Sequence, residues 1–249
     1  MSGHSKWATT KHRKGAQDKA RAKLFAKLIR QVEVAAREGG GDVNANATLR
    51  AMYQKARDGS VPLDTIERAI KRGTGELDGV RYEQVTYEGY GPGGVAVLVD
   101  TLTDNRNRTG AEMRSIFSRN GGSMAEPGAV AWQFERKGSI EVGRDVDEDT
   151  LMELATDAGA EDLEADPDGF SVTTAPGDLA TVRAALEAKG VTVKNAELTM
   201  VPTTTIEVGD ESEAKKVLRL MDAIDDHDDV QNVHANFDIP EAVLAAYEG

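Results

Sequence analysis

Apolar residues recur at helical spacing through the first third of the chain. Leu28, Val32 and Ala36 lie on one face of a first helix, which follows a polar, aperiodic stretch at residues 1–15. Three glycines starting at Gly39 end this helix, because glycine readily adopts the left-handed conformation found after helices. The periodicity predicts a small bundle of three short helices, at about residues 16–38, 45–57 and 62–73.

The pattern changes to that of strands after residue 80. A glycine-rich turn from Gly91 to Gly94 separates an alternating segment from the apolar run Val95 to Val99. This arrangement predicts a hairpin whose second strand is buried. A helix is predicted from Thr109 to Ser118, with Asn107 as its cap, and a strand from Val130 to Phe134.

Residues 138–202 contain their own succession of elements, in the order strand, helix, strand, strand, helix, strand. That order is typical of a ferredoxin-like arrangement. The C-terminal segment then adds a strand, a helix and a strand, at about residues 204–208, 212–225 and 230–237. Joined to residues 80–137, these elements would complete a second α+β unit of similar type.

The sequence therefore predicts an α+β multidomain fold. An N-terminal three-helix bundle is followed by two ferredoxin-like α+β domains, the third domain being inserted into the second. The predicted boundaries are residues 1–78 for a basic arm plus helical bundle, 79–137 with 203–249 for the middle domain, and 138–202 for the inserted domain.

Charge divides the chain into two parts of opposite sign. Residues 1–75 contain 16 Lys and Arg against 7 Asp and Glu, whereas residues 76–249 contain 14 against 36. The resulting net charges of +9 and −22 indicate a basic module fused to an acidic body. Such asymmetry favours a polyanion, most often nucleic acid, as the partner of the basic part. The acidic body would repel phosphates and is more suited to a protein partner.

Several classes of function are excluded or disfavoured by composition. The chain has no cysteine, which rules out disulfides, thiolate metal sites and cysteine nucleophiles. Its four histidines form no metal-binding or catalytic motif, and the acidic run Asp222 to Asp229 is interpreted as a solvated helix end. We therefore expect no enzyme activity, no cofactor and no metal. With no apolar stretch near 18 residues and no secretory signal, a cytoplasmic protein without a membrane partner is expected.

Two groups of N-terminal residues are candidates for nucleic-acid binding. The first is an extended arm whose cations would neutralise phosphates and whose aromatic rings would stack on bases. The second is a cationic stripe on the first helix, opposite its apolar face. The alternatives without a binding role are a solvated tail and a solvated helix face. Only three acids lie among ten cations over residues 1–38, whereas a solvated surface usually mixes both signs, and this favours binding. The candidates are His4, Ser5, Lys6, Trp7, Lys11, His12, Arg13 and Lys14 in the arm, and Lys19, Lys23, Lys27 and Arg30 in the stripe.

Two further segments carry weaker signals. Arg106 and Arg108 lie between a buried strand and a helix start, where they would contact a phosphate or pair with acids such as Glu112. The second and third helices have the rough length of a helix-turn-helix, with Arg68, Lys71 and Arg72 along a groove-facing surface. Any two consecutive short helices produce this second pattern, so the bundle alone is the favoured interpretation.

Six motifs, in this order, make the chain resemble the YebC family. They are GHSKWA from residue 3, KHRKG from residue 11, KLFAKLIR from residue 23, IERAIKRGTG from residue 66, YEGYGPGGVA from residue 87 and LTDNRNRT from residue 102. The resemblance covers nearly the full length and is densest over residues 3–135. It departs from the family pattern at Thr9 and Thr10, at residues 123–128 and in the acidic third domain.

The resemblance implies three domains and a role in gene expression. Members of the family have been described as transcriptional regulators, and mitochondrial relatives as translational activators. It also gives weight to the arm, Arg106 and Arg108, which lie within matching motifs. The sequence thus predicts a DNA-binding transcriptional regulator, with a ribosome-associated translation factor that binds ribosomal RNA through the basic N-terminal domain as the alternative.

Overall fold

The computed structural model describes residues 17–166, 169–240 and 243, and it confirms the three N-terminal helices. They are α1 (Gln17–Gly39), α2 (Ala47–Asp58) and α3 (Leu63–Thr74). Their apolar faces meet in a core that includes Val32, Leu49 and Ile66, all fully buried. Helices α1 and α3 approach so closely that a Cβ on Gly73 would overlap the carbonyl oxygen of Glu33. Glycine at that position is therefore a packing requirement.

The remaining elements alternate between strands and helices. In chain order they are β1 (Glu83–Tyr90), β2 (Ala96–Thr103), α4 (Arg106–Arg119), β3 (Ser123–Ala125), β4 (Phe134–Val142), α5 (Glu148–Ala158), β5 (Asp162–Asp166), β6 (Gly169–Thr174), α6 (Leu179–Ala188), β7 (Val193–Pro202), β8 (Ile206–Glu207), α7 (Glu211–Asp225), β9 (Val230–Ala235) and β10 (Phe237–Asp238). The chain is thus a mixed α+β protein, as the sequence predicts, with two four-stranded antiparallel sheets and a short parallel pair formed by β8 and β10.

One four-stranded antiparallel sheet has the order β3-β1-β2-β9. The predicted hairpin is confirmed, with β1 and β2 paired along their full length and joined by a tight turn in which Gly93 and Gly94 have positive φ. Val97 and Val99 of β2 pack with Met113 and Phe117 of α4 and with Leu218 of α7 in one core. The corner where α7 meets β9 consequently lies beside the start of α4.

This sheet does not have the strand order predicted for a second ferredoxin-like domain. In the βαββαβ arrangement the first strand is followed by a helix, whereas β1 passes directly into β2. The four-residue turn from Gly91 to Gly94 is too short for a crossover helix, so β1 and β2 can only be antiparallel neighbours. The prediction of a ferredoxin-like order for this sheet was wrong.

Residues 134–203 form a compact unit of their own. Their antiparallel sheet has the order β5-β6-β4-β7, and α5 and α6 are the two intervening helices. Ile140, Val172 and Leu186 are fully buried in the core of this unit. The other unit contains the described residues on both sides in the chain, 17–133, 204–240 and 243. The three predicted domain boundaries, and the insertion of the third domain into the second, stay a prediction.

Two local predictions were wrong. Helix α4 begins at Arg106 and is capped by Asn105, whose Oδ1 accepts a hydrogen bond from the backbone N–H of Arg108. The segment predicted as a strand from Val130 instead forms a 3-10 turn at Ala131–Gln133, and the strand starts only at Phe134. The cause of this turn is a buried carboxylate that binds the backbone of the preceding loop.

Candidate nucleic-acid interface

The predicted cationic stripe lies on a single face of α1. Lys23, Lys27 and Arg30 follow one another at spacings of four and three residues, which places their side chains above one another on a helix. This face is directed at the connection between α7 and β9. We call Asp225, Asp226, Asp228 and Asp229 in that connection the acidic corner.

The three cations of the stripe whose side chains the structure describes, Lys23, Lys27 and Arg30, are each paired with the acidic corner. The Nζ of Lys23 lies 3.0 Å from Asp226 Oδ1, and the Nζ of Lys27 lies 3.0 Å from Asp225 Oδ1. The Arg30 guanidinium donates to the carbonyl oxygen of Asp228 at 2.6 Å and to Asp229 Oδ1 at 3.2 Å. The stripe is therefore partly neutralised within the chain itself.

The three ion pairs differ in how readily they can open. Asp226 is 81% exposed, so water competes for Lys23 and the pair contributes little stability. The side chains of Lys27 and Asp225 are only 13% and 18% exposed, so water competes less for this pair and it opens less readily. Arg30 is the most constrained of the three, because its guanidinium also lies 5.3 Å over the ring of Tyr82. Of these three cations, Lys23 is consequently the most available to a phosphate.

Asp229 connects the acidic corner to the start of α4. Its side chain is buried, and its Oδ2 accepts hydrogen bonds from Arg108 at 2.6 Å and from the Thr109 hydroxyl at 2.7 Å. Its Oδ1 accepts from Arg30. A single carboxylate thus joins α1, α4 and β9. Burial by itself raises the pKa of Asp229, but Thr109 and Arg108 outweigh it and hold the pKa below its ordinary value.

We expect Asp229→Asn to destabilise the protein by about 2–3 kcal/mol at neutral pH, because hydrogen bonds to a charged group are lost. A carboxyl with a lowered pKa contributes its full stability above its unfolded pKa of about 3.9. That contribution disappears as the pH falls through the folded pKa. The difference between wild type and variant should therefore shrink below about pH 4. Urea unfolding between neutral and acid pH measures both effects.

The matched control for this prediction is Asp228→Asn, in which the same change is made at an exposed side chain one residue away. We expect Asp228→Asn to lower the free energy of unfolding by less than about 0.5 kcal/mol, as for most surface substitutions. Equal loss in the two variants, or a difference that persists unchanged into acid, would contradict the role of Asp229.

The two arginines of α4 have different surroundings. The Arg108 guanidinium is held by Asp229 and by Asp104 at 3.0 Å, and Glu112 lies 3.8 Å away. Arg106 lies in the first helical turn, is exposed, and has no carboxylate partner among the described residues. The hydroxyl of Tyr87 donates to the Arg106 carbonyl oxygen at 3.1 Å, which fixes the backbone there. Of the two, Arg106 is therefore the more available to a ligand.

A cluster of possible metal ligands is occupied by hydrogen bonds. Carboxylate and imidazole atoms of Glu112, His227 and Asp229 lie within 4.8 Å of one another. The Nδ1 of His227 accepts from the backbone N–H of Asp229, and its Nε2 lies 2.7 Å from Glu112 Oε2. Since Arg108 and Arg30 already supply positive charge to Asp229, the group functions as a hydrogen-bonded cluster.

The other predicted site residues are distributed as follows. Residues 4–14, which contain the arm candidates, lie outside the described residues, and so does the side chain of Lys19 on α1. In the proposed helix-turn-helix, Arg72 Nε is bonded to the buried Glu33 at 2.9 Å, and Arg68 lies 3.6 Å from Asp64. Lys71 is exposed. The assignment of these residues to a nucleic-acid interface stays a prediction.

Sequence reasoning missed the acidic corner. The sequence predicts a solvated helix end for the run Asp222 to Asp229, yet Asp229 is buried and Asp225 is mostly buried. A signal was present in the spacing, because acids at residues 222, 225, 226 and 229 match the helical spacing of the cations at 23, 27 and 30. Stripes of opposite charge with matching spacing indicate that the two segments face each other.

No helix in the described part of the chain is long and apolar enough to cross a membrane. Two family patterns together cover most of the sequence. The pattern described as "TACO1/YebC protein N-terminal domain" matches residues 5–76, and that described as "TACO1/YebC second and third domain" matches residues 82–237.

Similar proteins are known from bacteria. A protein of Syntrophobacter fumaroxidans is 56% identical over 245 residues, and one of Halothermothrix orenii is 53% identical over 247, each alignment covering 98% of both chains. Both are named "Probable transcriptional regulatory protein". The crystal structure of a conserved hypothetical protein from Aquifex aeolicus has a TM-score of 0.83 and 46% identity, covering 89% of this chain and 91% of that one.

Proposed function

The chain belongs to the TACO1/YebC family, and from that premise we propose that it is a non-enzymatic, nucleic-acid-binding regulator of gene expression. The names of its relatives support a role as a regulator of transcription. DNA is accordingly the first candidate target, and the cytoplasm is the expected place of action. We also propose the three domain boundaries given by the sequence, with the third domain inserted into the second.

The observation that carries this proposal is the concentration of positive charge in residues 1–75, with a net charge of +9 in a chain whose total is −13. The ion pairs between α1 and the acidic corner refine it. Because Lys27 and Arg30 are held within the chain, the first contact with phosphates falls to the arm and to Lys23. Arg106 is a further contact, since it is exposed and lies beside the same corner.

A second candidate function is a translation factor that binds ribosomal RNA through the basic N-terminal domain. It is favoured by an exposed indole, that of Trp132, which is suited to unpaired bases. Under either function the acidic body, with a net charge of −22 over residues 76–249, repels phosphates as a whole, so its contacts with nucleic acid are limited to local ones at Arg106 and Trp132. We propose that this body contacts a protein partner.

Two measurements on the native protein distinguish these candidates. The first is sedimentation through a sucrose gradient with the ribosomes of a cell lysate, at low and moderate salt. The second is a band-shift assay on promoter DNA against bulk DNA. A DNA site preferred by about 4 kcal/mol or more, with no comigration with ribosomes, is expected for the transcriptional regulator. Comigration with ribosomes, together with DNA binding that does not depend on sequence, would contradict the transcriptional regulator and favour the translation factor.

A further inference from the structure

Trp132 is the most exposed large apolar side chain of the described residues, at 73%, whereas the others of this kind are 38–45% exposed. The preceding residues in the loop are exposed but small or polar, namely Glu126, Pro127 and Gly128. Single apolar side chains are common on protein surfaces, so the feature that distinguishes Trp132 is the way in which its loop holds the ring.

The loop beneath this ring, residues 126–133, is fixed by a buried carboxylate. Glu88 of β1 accepts hydrogen bonds from the backbone N–H groups of Gly128, Val130 and Ala131, at 2.6, 2.7 and 2.9 Å. Burial by itself raises the pKa of Glu88, but these three donors outweigh it and hold the pKa below its ordinary value. Glu88 therefore stays ionised at neutral pH and keeps the loop closed around it.

Two more side chains hold the loop from below. The hydroxyl of Tyr90 donates to the carbonyl oxygen of Ala129 at 3.1 Å, and the amide of the buried Asn236 donates to Gln133 Oε1 at 3.1 Å. The indole Nε1 of Trp132 itself donates to the same Ala129 oxygen at 3.0 Å. The orientation of the ring is thus set before any partner arrives, which reduces the entropy lost on binding.

The polar atom of the indole is already satisfied, so the ring offers only its π-face and its apolar edges. A flat ring can cover it without leaving a buried donor unpaired. One ring is far smaller than the roughly 800 Å² that each partner of a stable protein–protein interface buries. A single stacked base, by contrast, needs one aromatic face and no more.

We propose that Trp132 is a stacking platform for an unpaired nucleobase, which Glu88 positions through the loop at residues 126–133. This proposal rests on the proposed function, because it names a second contact for the same nucleic acid. The ligand class is single-stranded or looped RNA or DNA, since a paired base within a duplex has no free face. Glu88 is a positioning residue.

Trp132 can be observed by itself, because the chain has only two tryptophans. The full chain with Trp7→Phe is titrated with dye-labelled strands of about 12 nucleotides: single-stranded RNA, single-stranded DNA, a duplex, and an abasic strand with the same phosphates. Dye anisotropy reports binding, and tryptophan emission with acrylamide quenching reports the indole. We expect the two base-containing single strands to quench Trp132 and to protect it from acrylamide, and the abasic strand to bind without doing so.

Substitution supplies the matched comparison. Trp132→Ala should weaken single-strand binding about 5-fold to 150-fold, the usual range for one stacked base, and Trp132→Phe should retain most of the affinity. Met152→Ala removes another exposed apolar side chain, in α5, and should change nothing.

The failures of the two proposals are distinguishable. If labelled single strands bind but leave the emission and accessibility of Trp132 unchanged, the platform is wrong while nucleic-acid binding stands, and the indole is left for a protein partner. If neither the wild-type chain nor the Trp7→Phe variant binds any of the strands by dye anisotropy, both the platform and the proposed function are overturned.

Discussion

Reversal of charge at Lys11, Arg13 and Lys14 to Glu is expected to weaken nucleic-acid binding by at least about 100-fold and to reduce the slope of log K against log salt by about 3. The reason is that the arm carries cations with no competing acid within residues 1–17, whereas the cations of α1 are paired with the acidic corner. Equilibrium binding to the same nucleic acid at several salt concentrations measures both quantities.

The control for this variant reverses three exposed cations elsewhere, at Arg136, Lys189 and Arg219. The change in total charge is equal, so a general electrostatic effect would appear in both variants. We expect the control to bind nearly as well as wild type, and both proteins to unfold at the same urea concentration. Binding that survives reversal of the arm, or falls equally in the control, would remove the arm from the interface.

Neutralisation of the acidic corner by Asp225→Asn with Asp226→Asn is expected to have the opposite effect, tightening nucleic-acid binding about 10-fold at low salt. The two carboxylates compete with phosphates for Lys27 and Lys23, which they approach at 3.0 Å. Their removal frees Lys27 and Lys23 for as many as two further phosphate contacts. The slope of log K against log salt should therefore steepen by about 2. Asp229 is left unchanged, because it holds Arg108 and Thr109 in place.

Glu153→Gln with Asp157→Asn is the matched control, since both side chains are exposed on α5 and the change in charge is the same. A similar gain in this control would mean that net charge, and not competition for α1, sets the affinity. No gain in the corner variant would mean that α1 takes no part in binding. Urea unfolding should show a loss of no more than about 1 kcal/mol for the corner variant.

Local patterns in the sequence were sufficient for most of the secondary structure. The apolar stripe of α1 and the glycine turn before Val95 each determine their element through nearby residues, and both are found as predicted. The partner of the α1 cations could not be found in this way, because Lys27 and Asp225 are 198 residues apart and meet only after the sheet has formed. The strand order of the middle sheet was misjudged for the same reason.

The segment around Trp132 shows how a buried charge overrides a local pattern. Val130, Trp132 and Phe134 alternate, which is typical of a strand, and Val130 and Phe134 are indeed buried. The three backbone donors that would extend such a strand are instead taken by Glu88, 40 to 43 residues earlier in the chain. The result is a turn that leaves the indole in solvent.

The central claim is that the basic N-terminal region is the part of this protein that contacts nucleic acid. Ultraviolet cross-linking of the full chain to nucleic acid in a cell lysate, followed by mass spectrometry of the cross-linked peptides, tests it most directly. We expect cross-links within residues 4–14, with a second group at Trp132. Cross-links confined to residues 134–203, or an absence of cross-links in residues 4–14, would contradict it.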